Sequence, residues 1–400
     1  MRPTRWARIA VTAVFVVHGL VFASWTAQIP AVKAHLGLTD GTLGFALLGA
    51  PVGSVTAMAG AGWLLPRLGS RRVVQIALVG YCAAGPLVGL TGHLAALSAA
   101  LFAWGAFQGS LDVAMNTQAI TVERAHRRPV MSGLHGSWSI GALLGAGAGV
   151  VAVGVGITLT VQLLALGTLG LLAVGLLTTR MLPDGTSDLA VDRADISASK
   201  WSGGMVLLGA IAFAAMLCEG AAADWASVYL SGSLHTGRTA AGLGYATFAA
   251  AMVTVRLSGN WLLARHRPDR LLPALAALAT TGFAIALIVE NLVVALIGFA
   301  CLGIGLASVV PTVFSAAGRI PGLHPGRAVA TVSTFGWAGF VCGPPLIGHL
   351  SALTALPVAL GLLPILTAFV AAGTSTSAQL RVAPRLDDQP EPTAEHRAAA

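Results

Sequence analysis

Long apolar runs dominate this chain and limit what it can fold into. More than half of its residues are hydrophobic (56%), only 10% are charged, and the mean hydropathy is +0.81. A soluble domain carries about 25% charged residues, whereas about 20 consecutive apolar residues cross the hydrocarbon core of a bilayer as a helix. Runs of that length lie near 8–30, 41–64, 72–91, 94–122, 130–154, 157–180, 203–230, 239–263, 270–289, 292–317, 327–350 and 353–373. The sequence therefore predicts an all-α integral membrane protein with twelve transmembrane helices.

Two polar stretches divide these runs into domains. The stretch "PDGTSDLAVDRADISASK" separates the sixth run from the seventh, and its four aspartates indicate a solvated linker. The C-terminal stretch is polar and is predicted to be disordered. The predicted domains are an N-terminal six-helix bundle (1–182), a cytoplasmic linker (183–202), a C-terminal six-helix bundle (203–373) and a cytoplasmic tail (374–400).

The positions of the basic residues predict how the chain crosses the membrane. With the N-terminus inside, all but three of the 23 Lys and Arg residues lie in segments predicted to be inside. Lys33 and Arg238 lie outside, and Arg256 lies within a span. This bias follows the positive-inside rule and predicts that both termini lie on the cytoplasmic side of a bacterial-type inner membrane. The net charge of +8 is thereby explained by topology, not by nucleic-acid binding.

The two halves of the sequence resemble each other. "TLGFALLGA" at 42–50 matches "GLGYATFAA" at 242–250, and "GWLLPR" at 62–67 matches "NWLLAR" at 260–265. These matches are about 200 residues apart, which indicates a repeat of six helices. Parallel six-helix repeats are typical of transporters whose halves rock around a site near the bilayer midplane.

The loop after the second span carries a family resemblance. "GWLLPRLGSRR" at 62–72 is similar to the G-x-x-x-D-R-x-G-R-R signature of the major facilitator superfamily, matching it at Gly62, Arg67, Gly69 and Arg71. Pro66 stands where the family has Asp. The resemblance covers about residues 8–373 and implies a monomeric transporter in which Arg67 and Arg71 contribute to gating.

Two further stretches resemble the fucose-permease-like branch and its uncharacterised bacterial neighbours. These are "GSLDVAMNTQAITVE" in span four and "GLHGSWSIGALLGA" in span five. In fucose permeases a span-four carboxylate takes part in proton coupling, and Asp112 matches its position. The second acidic residue of those permeases, in span one, has no counterpart here.

Asp112 is the first candidate for proton coupling. Gln108, Asp112 and Asn116 are four residues apart and share one helix face. Because a charged group is costly in the bilayer core, this face is expected to line a wet cavity or the bundle interior. Gln108 and Asn116 are candidates for solute binding. The alternative is that Asp112 anchors neighbouring helices by hydrogen bonds.

Two acidic residues in span seven are further candidates. Glu219 lies near the middle of the span, where it is predicted either to take up a proton or to bind a solute hydroxyl. Asp224 lies five residues further along, on another face and nearer the outside, and is a candidate for the solute cavity.

Aromatic, amide and imidazole side chains complete the predicted cavity. Trp25 and Gln28 of span one suit a sugar, since a ring packs on C–H faces and an amide binds hydroxyls. His135 and Trp138 of span five and Trp337 of span eleven are placed in the same cavity. The alternatives are packing, an interfacial position for the tryptophans, and pairing of His135 with Glu123.

A charged pair near the cytoplasmic ends is predicted to act in gating together with Arg67 and Arg71. Arg256 lies in the inner third of span eight, where it can pair with a carboxylate of the inner gate. Glu123 ends span four within a basic loop.

The remaining patterns favour transport over other functions. The four cysteines form no CxxC or Cys/His cluster, and the sequence has no GxSxG, HExxH or ATP-binding loop. The sequence therefore predicts a secondary active transporter of protons and a small polar solute such as a sugar, with no enzymatic activity, metal or cofactor. A proton-coupled exporter of drugs or metabolites is the alternative, because the glycine spacing of span five resembles the antiporter signature. A membrane-embedded enzyme and a transport-derived sensor are remote alternatives.

Overall fold

The computed structural model describes residues 2–126, 130–183, 203–320 and 325–381, and these residues form helices without strands. Most of the predicted linker and the end of the predicted tail lie outside the described residues. The first residues of the predicted tail are helical, because one helix ends at Thr376 and a further turn covers Ala378–Arg381.

The helices follow one another with short connections. They are α1 (Arg2–Ser24), α2 (Ile29–His35), α3 (Asp40–Leu47), α4 (Gly49–Leu68), α5 (Ser70–Val88), α6 (Leu94–His126), α7 (Met131–Gly154), α8 (Leu159–Val174), α9 (Gly203–Gly232), α10 (Arg238–Arg265), α11 (Pro268–Val289), α12 (Leu292–Leu306), α13 (Val309–Ala317), α14 (Pro325–Leu353), α15 (Leu356–Leu360), α16 (Leu362–Thr376) and α17 (Ala378–Arg381). Short 3-10 segments cover Thr26–Gln28 and Leu177–Arg180.

Ten helical stretches among the described residues are long and apolar enough to cross a membrane. Ten of the twelve predicted spans correspond to them. The other two predicted spans, 72–91 and 327–350, are occupied by helices α5 and α14, which are not among the ten.

Four spans consist of two α-helical segments rather than one continuous helix. The first is broken between α1 and α2, the second between α3 and α4, the tenth between α12 and α13, and the twelfth between α15 and α16. A proline lies in the first turn of the helix that follows each break, at Pro30, Pro51, Pro311 and Pro364. Proline lacks an N–H group and fits best in the first turn of a helix, where that N–H would have no partner in the helix, so it favours a new segment beginning there.

Within each half, the helices pair in the same way. In the first half α1 packs against α7 and α4 against α6, and in the second half α9 packs against α14 and α10 against α12. This pairing repeats the internal similarity of the sequence.

Close glycine packing joins α1 and α7. Gly141, Gly145 and Gly149 lie four residues apart on α7, and a Cβ atom at each would lie 2.1–2.3 Å from a backbone oxygen of α1. Only glycine permits this approach, as in other membrane helix pairs. The glycine spacing that resembles the antiporter signature thus has a packing role in this chain.

The two halves meet along α3 with α14 and along α7 with α10. Ser351 of α14 donates a hydrogen bond to the Asp40 carboxylate of α3, which also pairs with Lys33. Ser227 Oγ of α9 donates to the Thr26 carbonyl oxygen at 2.6 Å. The Ser351–Asp40 and Ser227–Thr26 bonds lie at the end of the molecule opposite both chain termini, so the halves are closed against each other there.

Candidate functional site

Arg256 joins the two halves of the molecule. Its Nη2 lies 3.5 Å from Glu219 Oε2 of α9, and its Nε donates to the Ala307 carbonyl oxygen at 3.3 Å. Its Nη1 donates across the boundary to Ser139 Oγ of α7 at 3.2 Å. The Arg256 and Glu219 side chains are 23% and 17% exposed. Arg256, Glu219 and Ser139 are called the Arg256 cluster below.

His135 lies one helical turn before Ser139. The Ser139 hydroxyl donates to the His135 carbonyl oxygen at 3.2 Å, and the exposed His135 imidazole contacts the edge of Phe15. His135 is within electrostatic range of Arg256. The structure thus brings a predicted cavity residue and a predicted gating residue together.

Tyr245 is a neighbour of the Arg256 cluster that sequence reasoning missed. Its buried side chain interacts electrostatically with Glu219, Arg256 and Asp224. One signal could have found it: Tyr245 replaces Phe45 in the repeat, so a hydroxyl appears only in the second half. Asp224 therefore belongs to the surroundings of the cluster.

Asp112 makes its hydrogen bonds within its own helix. Asn116 Nδ2 donates to the Asp112 carbonyl oxygen at 2.8 Å and to Asp112 Oδ1 at 3.3 Å. Both side chains and that of Gln108 are partly exposed. At the repeat-related position, Thr312 Oγ1 donates to the Ser308 carbonyl oxygen at 2.7 Å. The predicted polar face is present, but no described hydrogen bond connects it to the Arg256 cluster.

Trp138 is fixed by a histidine of the same half. Its Nε1 donates to His18 Nδ1 at 2.8 Å, and Phe22 lies beside the indole at 6.2 Å between ring centroids. Trp138 is partly exposed, whereas His18 is buried. Trp337 is also partly exposed and contacts Phe340.

Trp25 and Gln28 are packed inside the first half. Trp25 is 3% exposed and contacts Trp104 edge-to-face. Gln28 Nε2 donates to the Ile157 carbonyl oxygen at 2.9 Å and to Gln162 Oε1 at 3.0 Å. The structure does not bring either residue to the Arg256 cluster.

The Glu123 carboxylate caps a helix. Its Oε2 accepts hydrogen bonds from the backbone N–H groups of Val130 (2.8 Å) and Met131 (3.0 Å), where α7 begins. A carboxylate is favourable there because unpaired N–H groups and the helix dipole attract negative charge. The alternative that Glu123 pairs with His135 is therefore not what the structure shows.

The two other predicted gating residues lie around the turn between α4 and α5. Arg67 is exposed in the last turn of α4, and Arg71 is partly exposed in the first turn of α5. Gly69 between them has φ +76°, a left-handed conformation that favours glycine.

Comparison with known families decides the class of this protein. The model of the Major Facilitator Superfamily matches residues 11–324. The chain belongs to this superfamily. Membership points to a multi-pass membrane transporter of small solutes rather than an enzyme.

Similar sequences extend over nearly the whole chain. An uncharacterised MFS-type transporter of Yersinia pestis is 33% identical over 91% of this chain and 94% of its own length. An uncharacterised transporter of Sinorhizobium fredii is 32% identical over 92% and 97%. The membrane protein MosC of Rhizobium meliloti is 31% identical over 88% and 86%.

Solved structures confirm the transporter fold. A mutant of the nucleoside transporter NupG superimposes with a TM-score of 0.74 at 10% identity, covering 93% of this chain and 100% of that chain. A bacterial homologue of the human lysosomal transporter Spinster, in an inward-facing and unoccupied conformation, gives a TM-score of 0.72 at 14% identity, covering 96% and 99%. At these identities the likeness concerns the fold alone.

Proposed function

We propose that this protein is a secondary active transporter that carries a small polar solute, such as a sugar, together with protons across the bacterial inner membrane. Twelve spans form two six-helix bundles that rock by alternating access, and both termini are cytoplasmic. Family membership, the internal repeat and the distribution of basic residues support this proposal.

The closed end of the molecule then faces outward. With cytoplasmic termini, the contacts of α3 with α14 and of Ser227 with Thr26 lie on the periplasmic side. This arrangement corresponds to a state that is closed toward the periplasm. The solute enters or leaves between the halves from the cytoplasmic side and binds near the Arg256 cluster.

The observation that carries the proposal is the hydrogen bond of Arg256 to both halves. A charge inside a membrane protein is costly, and such residues usually mark a substrate or proton pathway. Arg256 is held by a carboxylate of its own half and by a hydroxyl of the other half. A change in the charge of Glu219 therefore changes how firmly Arg256 is held at the boundary.

Glu219 and Asp112 are the proposed proton carriers. Exclusion from water disfavours the charged form of a carboxyl group, so the dry intermediate favours the protonated acid. A proton on Glu219 removes the ion pair with Arg256 and frees the guanidinium group. The rearrangement of the Arg256 cluster then accompanies the closing of the halves around the solute.

The test uses purified protein in liposomes that contain a pH-sensitive dye. Sugars and amphipathic drugs are added singly, and solute-driven proton movement is compared among wild type, Glu219→Gln and Asp112→Asn. We expect solute-driven proton movement in wild type and its loss in at least one of the two variants. Glu290→Gln, at an exposed loop position, is the matched control and is expected to behave as wild type.

Two results would contradict parts of the proposal. Equal proton movement in wild type and both variants would remove the coupling role from Glu219 and Asp112. Proton and solute movement in opposite directions would show an exporter.

A further inference from the structure

Two basic side chains from opposite halves lie close together at the boundary. His135 of α7 is within electrostatic range of Arg256 of α10, and the imidazole is exposed. Gly136 and Leu257, the residues next in sequence, also face each other, because a Cβ at Gly136 would lie 3.8 Å from Leu257 Cδ2. The imidazole and the guanidinium group can each donate a hydrogen bond, so one anion between them can bind to both.

The Arg256 guanidinium has unused hydrogen-bond donors. Among the described residues, three of its five N–H groups donate to Ala307, Ser139 and Glu219, which leaves one N–H on Nη1 and one on Nη2. The side chain is 23% exposed, and water or a solute can reach it. A guanidinium group is suited to binding a carboxylate through two parallel hydrogen bonds.

Among the described residues, the negative charge in contact with Arg256 is that of Glu219. Glu219 of α9 forms the ion pair with Arg256. Asp224 of α9 interacts electrostatically with Tyr245 of α10, and Tyr245 interacts in the same way with Glu219 and Arg256. From the α12 side the contact is the backbone oxygen of Ala307. The charge of Arg256 is therefore balanced by a single long ion pair, which a second anion can replace.

We propose that His135 and Arg256 form an anion-binding site and that the transported solute is an organic monoanion whose carboxylate bridges them. The choice of solute depends on the transport function proposed above. The anion site itself depends only on the two side chains and on the contact between α7 and α10 that brings them together.

Glu219 and the solute carboxylate compete for the same guanidinium group. When Glu219 takes up a proton from water, its carboxyl group becomes neutral and releases Arg256 to the solute. The carboxylate then binds the Nη1 and Nη2 donors on one side and the His135 imidazole on the other. One proton and one monoanion cross together, so the occupied site keeps the same total charge as the empty one.

A cysteine introduced beside the site tests whether the site prefers anions to cations. This test does not require the transported solute to be identified. Gly136→Cys is placed in a background in which the partly or fully exposed Cys301 and Cys342 are replaced by alanine. A Cβ at Gly136 would make only an ordinary van der Waals contact, 3.8 Å from Leu257 Cδ2, so the new side chain can be accommodated. The rate of modification is measured with an anionic and a cationic methanethiosulfonate reagent of similar size.

We expect the anionic reagent to react faster, and the anionic-to-cationic rate ratio to fall about tenfold in Arg256→Gln. His135→Gln keeps a hydrogen-bond donor and removes no fixed charge, so it is expected to change the ratio less than Arg256→Gln. Arg256→Lys keeps the charge and is expected to keep most of the ratio, which also controls for misfolding. Arg319→Gln removes an exposed charge that is bonded only to Ser315 and is the matched control.

A faster reaction with the cationic reagent, or an equal ratio in Arg256→Gln and Arg319→Gln, would overturn the anion site. Transport assays with glucuronate, glucose and glucosamine as matched anion, neutral and cationic probes separate the two proposals. Transport of glucose or glucosamine in preference to glucuronate would overturn the monoanion while leaving the transport function. A rate ratio that depends on Arg256, in a protein that moves no solute, would overturn transport and leave the anion site.

Discussion

Replacing Gly44 by alanine is expected to open the closed end of the molecule. Gly44 of α3 faces α14, where an added Cβ would lie 2.5 Å from the Pro344 carbonyl oxygen and 3.0 Å from the Gly348 Cα. Both neighbours are backbone atoms, which cannot rotate away as a flexible side chain can. The alanine variant therefore requires the two helices, and with them the two halves, to move apart.

The size of the effect follows from the cost of overpacking, which is about 1–3 kcal/mol. This cost applies only to the state in which α3 and α14 touch. Since about 1.4 kcal/mol corresponds to a tenfold change in an equilibrium constant, the ratio of closed to open molecules at this end should fall by a factor of about 5 to 150.

Gly145→Ala is the matched control inside one half. Its Cβ would lie 2.1 Å from the Leu20 carbonyl oxygen, so the steric conflict is at least as large as at Gly44. Because α1 and α7 belong to the same bundle, the conflict is present in every rigid-body arrangement of the halves. Gly145→Ala should lower the thermal stability of the protein without changing the distribution between arrangements.

The assay measures the distance between spin labels on Leu90→Cys and Thr354→Cys by pulsed electron paramagnetic resonance. Both positions are exposed near the ends of helices at the closed end, one in each half. Gly44→Ala should increase the long-distance population, and Gly145→Ala should not. An unchanged distance distribution in Gly44→Ala, with a loss of stability equal to that of Gly145→Ala, would refute the view that α3 and α14 touch only in the closed state.

Three other substitutions test individual contacts. Asp40→Asn removes the ion pair and weakens the bond to Ser351, and it should lengthen the same spin-label distance in a fraction of molecules; no change would show that the bond does not hold the halves together. Glu123→Gln should lower the stability of the protein by about 1 kcal/mol, because a charged cap of a helix is lost, as measured by thermal unfolding in detergent. Gln162→Leu removes one of the two acceptors of the Gln28 amide and leaves Ile157, and it should cost about 1–3 kcal/mol in the same assay; a neutral result would contradict the assigned bond.

The positions of the helices could be predicted well from the sequence. The run predicted at 94–122 corresponds to helix Leu94–His126, and the run predicted at 203–230 corresponds to Gly203–Gly232. Apolar length and polar interruptions carry this information directly. The breaks inside four spans were missed, because a break within an apolar run leaves hydropathy unchanged and is indicated only by a proline in the next turn.

The candidate site could be predicted only in part. Helical periodicity places Asp112 and Asn116 on one face, and the structure shows them bonded to each other. Scarcity of charge singles out Glu219 and Arg256 as residues with a special role. Their pairing with each other, and that of Arg256 with Ser139, depend on which helix faces meet, and one sequence contains no signal for such contacts between distant segments.

The polar residues of the spans divide according to where their partners lie. Gln28 and Gln162 are neutral, buried and bonded within one half, so their hydrogen bonds can persist while the halves move. Glu219 and Arg256 are ionisable, partly exposed and connected to the other half through Ser139. Uptake of a proton near neutral pH does not break a hydrogen bond between two neutral amide side chains, whereas protonation of the carboxylate does break an ion pair. Sequence reasoning grouped Gln28 with the solute cavity because it considered polarity alone. The position of a polar residue relative to the boundary between the halves is the better guide. Residues bonded within one half hold that half together, whereas residues bonded across the boundary are suited to respond to a proton or a solute.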